Sequence, residues 1–252
     1  MLMKKSIIIP ITFLVASFLI SCTASKYKKP LKVLLITGGC CHNYPLQTQA
    51  LKDGLSKHTP ADWTVVNEGG TGTDAMLSLY DNPDWAKAYD VVVHNECFAD
   101  TKNPEYIRKI TKSHYAGVPA VVIHCAMHTY RETDVDDWRE FLGVTSRRHD
   151  HQSNYPVKKA ENNHPILKDM PDNWVTSKDE LYIIEKIWPN TKVLATSVSE
   201  RDGKTNPVIW TNTYGNARVF GTSFGHSDST FGDPVFLNIV SKGILWSSGR
   251  LK

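Results

Sequence analysis

The chain has 252 residues, with 29 Lys and Arg against 26 Asp and Glu and a formal charge of +3. Lys4, Lys5, Lys26, Lys28 and Lys29 all precede residue 31, and without them acidic groups slightly outnumber basic ones. That balance provides no electrostatic footprint for nucleic acid, and the length suits one large α/β domain.

Lys4 and Lys5 stand before an apolar run over residues 7–20, the pattern of a secretory signal. Leu19-Ile20-Ser21-Cys22 resembles the bacterial lipobox. The expected organisation is a signal over 1–21, acylation of Cys22, a tether over 22–30 and one domain over 31–250. The protein is then expected in the cell envelope as a lipoprotein, facing the periplasm or in the outer membrane. Its membrane contact would be the lipid anchor alone, because nothing after residue 22 is long and apolar enough to span a bilayer.

Residues 32–36 form a short apolar run ending in Thr37-Gly38-Gly39, which predicts a buried strand and a tight turn. Leu46, Ala50, Leu51 and Leu55 are spaced for a helix over 46–58. A second strand is expected at 63–66, a short helix capped by Asp74 through Leu79, and a third strand at 90–94. Asn103-Pro104 opens a helix through His114, with proline in its first turn. The fourth strand is 118–123. Regular alternation of this kind predicts a doubly wound, mostly parallel sheet covered on both faces.

The second half reads differently. Strands are expected at 155–160, 180–184, 192–197 and 208–213. A turn at 214–217 and a return over 218–223 make a C-terminal antiparallel hairpin. An amphipathic helix over 234–246 ends the fold.

Candidate chemistry recurs at strand ends. Cys40-Cys41-His42-Asn43-Tyr44 follows the first strand, and His94-Asn95-Glu96-Cys97 the third. His124-Cys125 and His128 follow the fourth, and Gly225-His226-Ser227-Asp228 follows the hairpin. Along the carboxyl edge of a parallel sheet such groups share one cleft. His42, Glu96 and His124 are therefore expected to face it. His42, His124 and His226 are candidate ligands for a divalent metal such as zinc. Cys125 is the competing nucleophile, and it needs a base within reach. Glu96, Asp179 and Glu180 are the acids available to orient a histidine. Tyr44, Tyr130, Trp138 and Tyr182 are candidate sugar platforms. There is no Gly-x-Ser-x-Gly elbow, no dinucleotide fingerprint and no P-loop, so serine-hydrolase and nucleotide-binding readings lack support. Five cysteines in a chain of this length do not make a disulfide scaffold.

In this order the motifs resemble the ThuA-like (trehalose utilisation) family over about residues 31–249. The marks are Thr37-Gly38-Gly39 with His42, the segment from Gly117 to His124, and His164-Pro165-Ile166. Asp179-Glu180-Leu181-Tyr182, Pro207-Val208-Ile209-Trp210, Tyr214-Gly215 with Asn216 through Phe220, and Gly225-His226 complete them. The resemblance implies a class I glutamine amidotransferase-like (flavodoxin-like) fold. It places His124 where amidotransferases carry their catalytic cysteine, so a glutaminase reaction is not expected. Cys125, one position later, departs from that pattern, as does the reduced glycine stretch Gly117-Val118-Pro119. His149 and His151 fall near a histidine that many members carry.

Members are similar to proteins encoded with sugar oxidoreductases and 3-keto-glycoside enzymes, which implies a carbohydrate substrate. The catalytic set implied is His124 with Glu180 and Glu96. Substrate contacts are expected from His42, Asn43, Tyr44, His128, Tyr182 and His226. The expected function is hydrolysis or elimination on a disaccharide or 3-keto-glycoside. The alternative is a non-catalytic carbohydrate-binding or assembly lipoprotein that reuses the fold. The expected partners are a small sugar and the membrane through its anchor, not nucleic acid, with homo-oligomerisation left open.

Overall fold

The computed structural model describes residues 29–252; the expected signal, Cys22 and most of the tether lie outside the described residues. The strands are β1 (Leu31–Gly39), β2 (Ala61–Asn67), β3 (Val91–Cys97), β4 (Ala120–Ile123), β5 (Val144–Ser153), β6 (Lys158–Lys159), β7 (Asp179–Ile187), β8 (Thr191–Val198), β9 (Thr205–Tyr214) and β10 (Ala217–Thr222). The helices are α1 (Tyr44–Ser56), α2 (Pro104–Tyr115), α3 (Asp137–Leu142), α4 (Asp228–Phe231) and α5 (Pro234–Ser247).

Eight strands form one sheet in the order β2-β1-β3-β4-β10-β9-β8-β6. The first five are mutually parallel, and β9, β8 and β6 continue antiparallel. The order 2-1-3-4 is the flavodoxin-like form of the doubly wound sheet, with β10 as its fifth parallel strand. The expected fold class and the β9–β10 hairpin are both present.

The strands are apolar on both faces because helices cover both. Leu31, Val33, Leu35, Val91, Val93, Val121 and Ile123 pack with α1 and α5 through Leu51, Leu55, Phe236 and Ile244. Leu34, Ile36, Val92 and Val122 pack on the other face with α2 and α3 through Ile107, Ile110, Trp138 and Phe141. Residue parity along each strand therefore decides which layer a side chain enters. The helix starts follow from local chemistry. The Asn43 side chain accepts from Leu46 N at 3.4 Å ahead of Pro45, and Asn103 accepts from Tyr106 N at 3.1 Å ahead of Pro104.

Three expected elements form differently, and α3 and β5 form where no element was expected. Residues 74–79 form no α-helix; a 3₁₀ turn spans Ser78–Asp81. Here Leu77 N donates to the distant Tyr106 Oη at 2.7 Å rather than to a helical carbonyl four residues back. The strand expected over 155–160 shrinks to β6, because Pro156 has no N–H to give and makes only an isolated bridge to Val175. The strand expected at 180–184 does form, as β7, but it leaves the main sheet and pairs with β5 in a separate two-stranded ribbon.

Candidate active site

The cleft lies beyond the carboxyl ends of β1, β4 and β10, and the β5–β7 ribbon closes over it. Its cavity is about 320 Å³, within the range of small-ligand sites. His42, His124, His128, His149, Glu180, Tyr182 and His226 line it, together with Arg131 and Asp100.

His124 occupies the turn between β4 and a 3₁₀ segment, His124–Met127. Its backbone is left-handed, with φ +46°, which costs a β-carbon residue about 1–2 kcal/mol. This turn lifts the imidazole above the sheet edge. The neighbouring loop must then cross the ring closely. Gly225, at φ +134°, allows this, since a Cβ there would lie 2.9 Å from Ile123 and 3.1 Å from His124.

Three imidazoles converge. Ring centroids of His42 and His124 lie 5.1 Å apart, His42 and His226 5.0 Å, and His124 and His226 5.4 Å. One ligand atom from each lies within 4.8 Å of the others. Glu180 Oε2 lies beside two of these rings and a fourth, at 3.3 Å from His226 Nδ1, 3.7 Å from His124 Nε2 and 3.5 Å from His149 Nδ1. The His226 contact is an ion-pair distance without hydrogen-bond alignment.

The tautomers follow from fixed acceptors. His124 Nδ1 is 2.7 Å from the Ser223 carbonyl and must donate to it, which leaves the Nε2 lone pair free. The Tyr182 hydroxyl, 3.3 Å away, donates to that lone pair. His42 Nδ1 likewise donates to the His226 carbonyl at 3.2 Å. His226 Nε2 lies 2.7 Å from the Gln152 side-chain amide, whose NH2 donates to the neutral ring and whose oxygen, with the amide turned over, accepts from the charged one. Two rings thus present Nε2 lone pairs held by backbone carbonyls, the arrangement that orients imidazole ligands of a metal.

Electrostatics divide the group. Burial drives His124 well below its ordinary pKa, with the neighbouring His42 acting in the same sense. Burial also lowers His42 to about 4 and His128 to about 3. Burial alone would raise Glu180, but contact with His226 and the charges of His226 and His149 outweigh it, so the carboxyl titrates below its usual range. The same contact with Glu180 raises His226. The site therefore holds neutral His42 and His124 beside a Glu180–His226 pair that favours the charged forms.

Asp179 anchors this arrangement from beneath. It is fully buried and accepts from Gly225 N at 2.9 Å, His226 N at 3.2 Å, Glu180 N at 2.7 Å and Thr230 Oγ1 at 2.6 Å. Burial raises it to about 6, against the pull of these four donors.

Of the residues singled out in the sequence, His42, His124, His128, Glu180, Tyr182 and His226 meet in the cleft. Tyr182 stacks on His128 with centroids 3.9 Å apart. Asn43 and Tyr44 serve the loop under it: Asn43 Nδ2 donates to Asp228 at 2.9 Å, and Tyr44 Oη donates to the Cys40 carbonyl at 2.9 Å. Glu96 is not brought to the cleft. It shares strand parity with His94, enters the α2–α3 layer, and is fully buried with Oε1 2.9 Å from His94 Nδ1. Tyr130 and Trp138 are buried in that layer too, away from any sugar. Cys125 is disulfide-bonded to Cys97, and Cys40 to Cys41, so none of the four is a free nucleophile in this state. His149, Gln152 and Arg131 are cleft residues to which the sequence assigned no role. The alternation of His149 and His151 in a polar segment was the available signal.

A family model for ThuA, trehalose utilisation, matches residues 32–247. The fold is similar to that of a ThuA-like protein from Parabacteroides merdae, with TM-score 0.68 and 23% identity over 89% of this chain and 92% of that one. A ThuA-like protein from Bacteroides uniformis superposes with TM-score 0.68 and 16% identity over 89% and 94% of the two chains. A cytoplasmic protein from Salmonella typhimurium does so with TM-score 0.59 and 12% identity over 86% and 99%. At these identities the structural likeness is one of fold. No curated protein matches the chain in sequence.

Proposed function

Because the chain belongs to the ThuA (trehalose utilisation) family, we propose that it is an acid–base enzyme acting on a disaccharide or 3-keto-glycoside. The observation that carries this reading is the pairing of a buried neutral His124 with the Glu180–His226 pair across one cavity. A neutral imidazole accepts a proton, and an imidazole raised by a carboxylate gives one up near neutral pH.

On a 3-keto-glycoside the carbonyl acidifies the neighbouring C2 hydrogen. His124 Nε2 takes that proton once the Tyr182 hydroxyl turns aside to the sugar. The electron pair forms the C1–C2 double bond and expels the anomeric oxygen, which His226 protonates. Glu180 holds His226 charged, and Asp179 holds the loop that carries it. Arg131 and Asp100 at the cavity wall suit sugar hydroxyls.

A second reading is supported by the three convergent rings. Their donor set fits a divalent cation such as zinc, and His42, His124 and His226 would hold it. A bound zinc would polarise the sugar carbonyl as a Lewis acid.

Turnover of a keto-glycoside panel by purified protein, with and without chelator, tests the proposal. Activity that survives chelation supports acid–base chemistry alone, and loss that zinc restores supports the second reading. Binding of these sugars with no turnover favours the non-catalytic carbohydrate-binding alternative. Anchoring in the cell envelope through Cys22 is part of the same proposal. Cys22→Ser should move the protein from membrane to soluble or unprocessed fractions, and unchanged membrane partition would refute it.

A further inference from the structure

Cys40, Cys41, Cys97 and Cys125 all line one wall of the cleft. The two disulfides, Cys40–Cys41 and Cys97–Cys125, are in contact: Cys40 Sγ lies 3.7 Å from Cys97 Sγ. Strand register explains the contact. Gly39 pairs with Cys97 across β1 and β3, so Cys40 leaves the strand directly beside Cys97. Gly39 has φ +95°, and any Cβ there would collide with the Cys97 carbonyl, so the close approach depends on glycine.

The four sulfurs are graded in access. Cys41 is exposed and Cys40 half-buried, whereas Cys97 and Cys125 are 4% and 8% exposed. The two bonds also differ in what they constrain. Cys97–Cys125 spans a sequence separation of 28, whereas Cys40–Cys41 joins neighbours and closes no loop of chain. In the chain-entropy account, a bond between neighbours has almost nothing to contribute to stability. An exposed bond without a stapling role, touching a buried bond with one, is arranged for transfer.

We propose that these cysteines form a thiol–disulfide exchange centre. Electrons enter at Cys41 from a dithiol and pass through the Cys40–Cys97 contact to the Cys97–Cys125 bond. One thiolate of the dithiol attacks Cys41 Sγ, breaking the Cys40–Cys41 bond and releasing Cys40 as thiolate. The donor's second thiolate then displaces Cys41, leaving the donor as its disulfide. Cys40 thiolate attacks Cys97 Sγ; the Cys97–Cys125 bond breaks, and its electron pair leaves on Cys125, which takes a proton. Cys41 thiolate attacks Cys40 Sγ, re-forming Cys40–Cys41 and releasing Cys97, which takes the second proton. The donor loses two electrons and two protons, and the Cys97–Cys125 pair gains them. Exchange requires the attacking sulfur to reach a disulfide sulfur, and Cys40 Sγ and Cys97 Sγ are already in contact at 3.7 Å. Cys125 directly follows His124, so the centre also sets whether the turn carrying that imidazole is covalently tied to β3.

The test uses the oxidised full chain and one equivalent of dithiothreitol, followed by acid quench, alkylation and peptide mapping by mass spectrometry. Across a time course of quenches, the expected intermediate is a crossed Cys40–Cys97 peptide with Cys41 and Cys125 alkylated, and the expected end point is alkylated Cys97 and Cys125 with Cys40–Cys41 intact. In Cys40→Ser, reduction of Cys97–Cys125 should slow by at least ~10-fold, because the relay sulfur is gone. The double variant Cys41→Ser/Cys125→Ser should close a Cys40–Cys97 disulfide on mild oxidation. Absence of the crossed peptide from the unsubstituted chain overturns the proposal whatever the variants do. So does an unchanged rate in Cys40→Ser. No sugar enters the experiment, so its outcome is independent of the catalytic reading.

Discussion

Two clusters of histidine and glutamate occupy this molecule, and they have opposite fates. In the cleft, His42, His124, His226 and Glu180 converge on a cavity. Within the α2–α3 layer, His94 bonds Glu96 at 2.9 Å and His114 Nε2 at 3.1 Å, and His114 Nδ1 bonds the Val118 carbonyl at 2.8 Å. The inner cluster is the tighter of the two by distance. Trp85, Trp138 and Phe141 pack edge-on or stacked against its rings. It is fully buried, so no substrate reaches it. The cleft group is looser, half-exposed at His42 and His226, and keeps two lone pairs uncommitted to protein donors other than Tyr182. Reactive residue types close together do not define a site; an unsatisfied atom facing an accessible space does.

Substitution should separate the two clusters most sharply at His124 and His114. His124→Ala should lose ~10²–10⁴ in turnover while the chain stays folded. His114→Ala should keep its turnover per folded molecule and lose about 2–4 kcal/mol in urea unfolding, since it orphans two buried partners. A folded, inactive His114→Ala would erase the distinction.

Next in size are the two glutamates. Glu180→Gln removes the charge that raises His226, the proton donor, so the alkaline limb of the pH–rate profile should move to lower pH and turnover should fall ~10–100-fold. Glu96→Gln should leave the profile in place. A shifted profile in Glu96→Gln, measured on keto-glycoside turnover, would join the inner cluster to the chemistry.

Both clusters contribute to acid lability. His42, His114 and His128 have folded pKa values lowered to about 4, 3 and 3, and His124 is lowered too. The unfolded chain, with histidine near 6.5, therefore binds more protons, and the stability is present above that value and lost as pH falls from there toward 4. Each fully buried ring contributes at most about 1.4 kcal/mol per pH unit in that window. Asp179, raised to about 6, acts in the opposite direction and stabilises as pH falls. Urea midpoints at pH 6.5, 5.5 and 4.5 should decline, and less steeply in His114→Gln. A flat series would mean that the rings are not neutral in the folded chain. The smallest effect is expected from Tyr182→Phe, which loses one 3.3 Å hydrogen bond to His124. It should change stability by no more than about 1 kcal/mol and reduce turnover several-fold.

The strand-end rule located most of the site because it depends on topology alone: β1, β4 and β10 deliver His42, His124 and His226 to one edge. It fails at Glu96 because position along a strand sets only nearness to the edge, whereas parity sets the layer a side chain enters. His94 and Glu96 are two apart and share the face of Val92, and this was readable in the chain. The ribbon was harder to read. β5 is polar, with half its residues exposed, and its strand character comes from pairing with β7 through a bulged register. That long-range pairing leaves no local period. By contrast α3 had a local signature in Trp138, Phe141 and Leu142 with Gly143 as its left-handed stop at φ +87°. The disulfide partners were out of reach of spacing, since Gly39↔Cys97 is a tertiary register.

The left-handed backbone at His124 makes the turn depend on its own side chain. Glycine at this position would relieve the backbone by about 1 kcal/mol or more relative to alanine. It would also empty a buried site and orphan the Ser223 carbonyl and the Tyr182 hydroxyl, at about 1–3 kcal/mol for each buried group left unpaired. The second effect is the larger, so a library selected only for heat resistance should keep histidine at 124, as should one selected on sugar turnover. Persistence and use then hold the same imidazole against the strain of its own backbone.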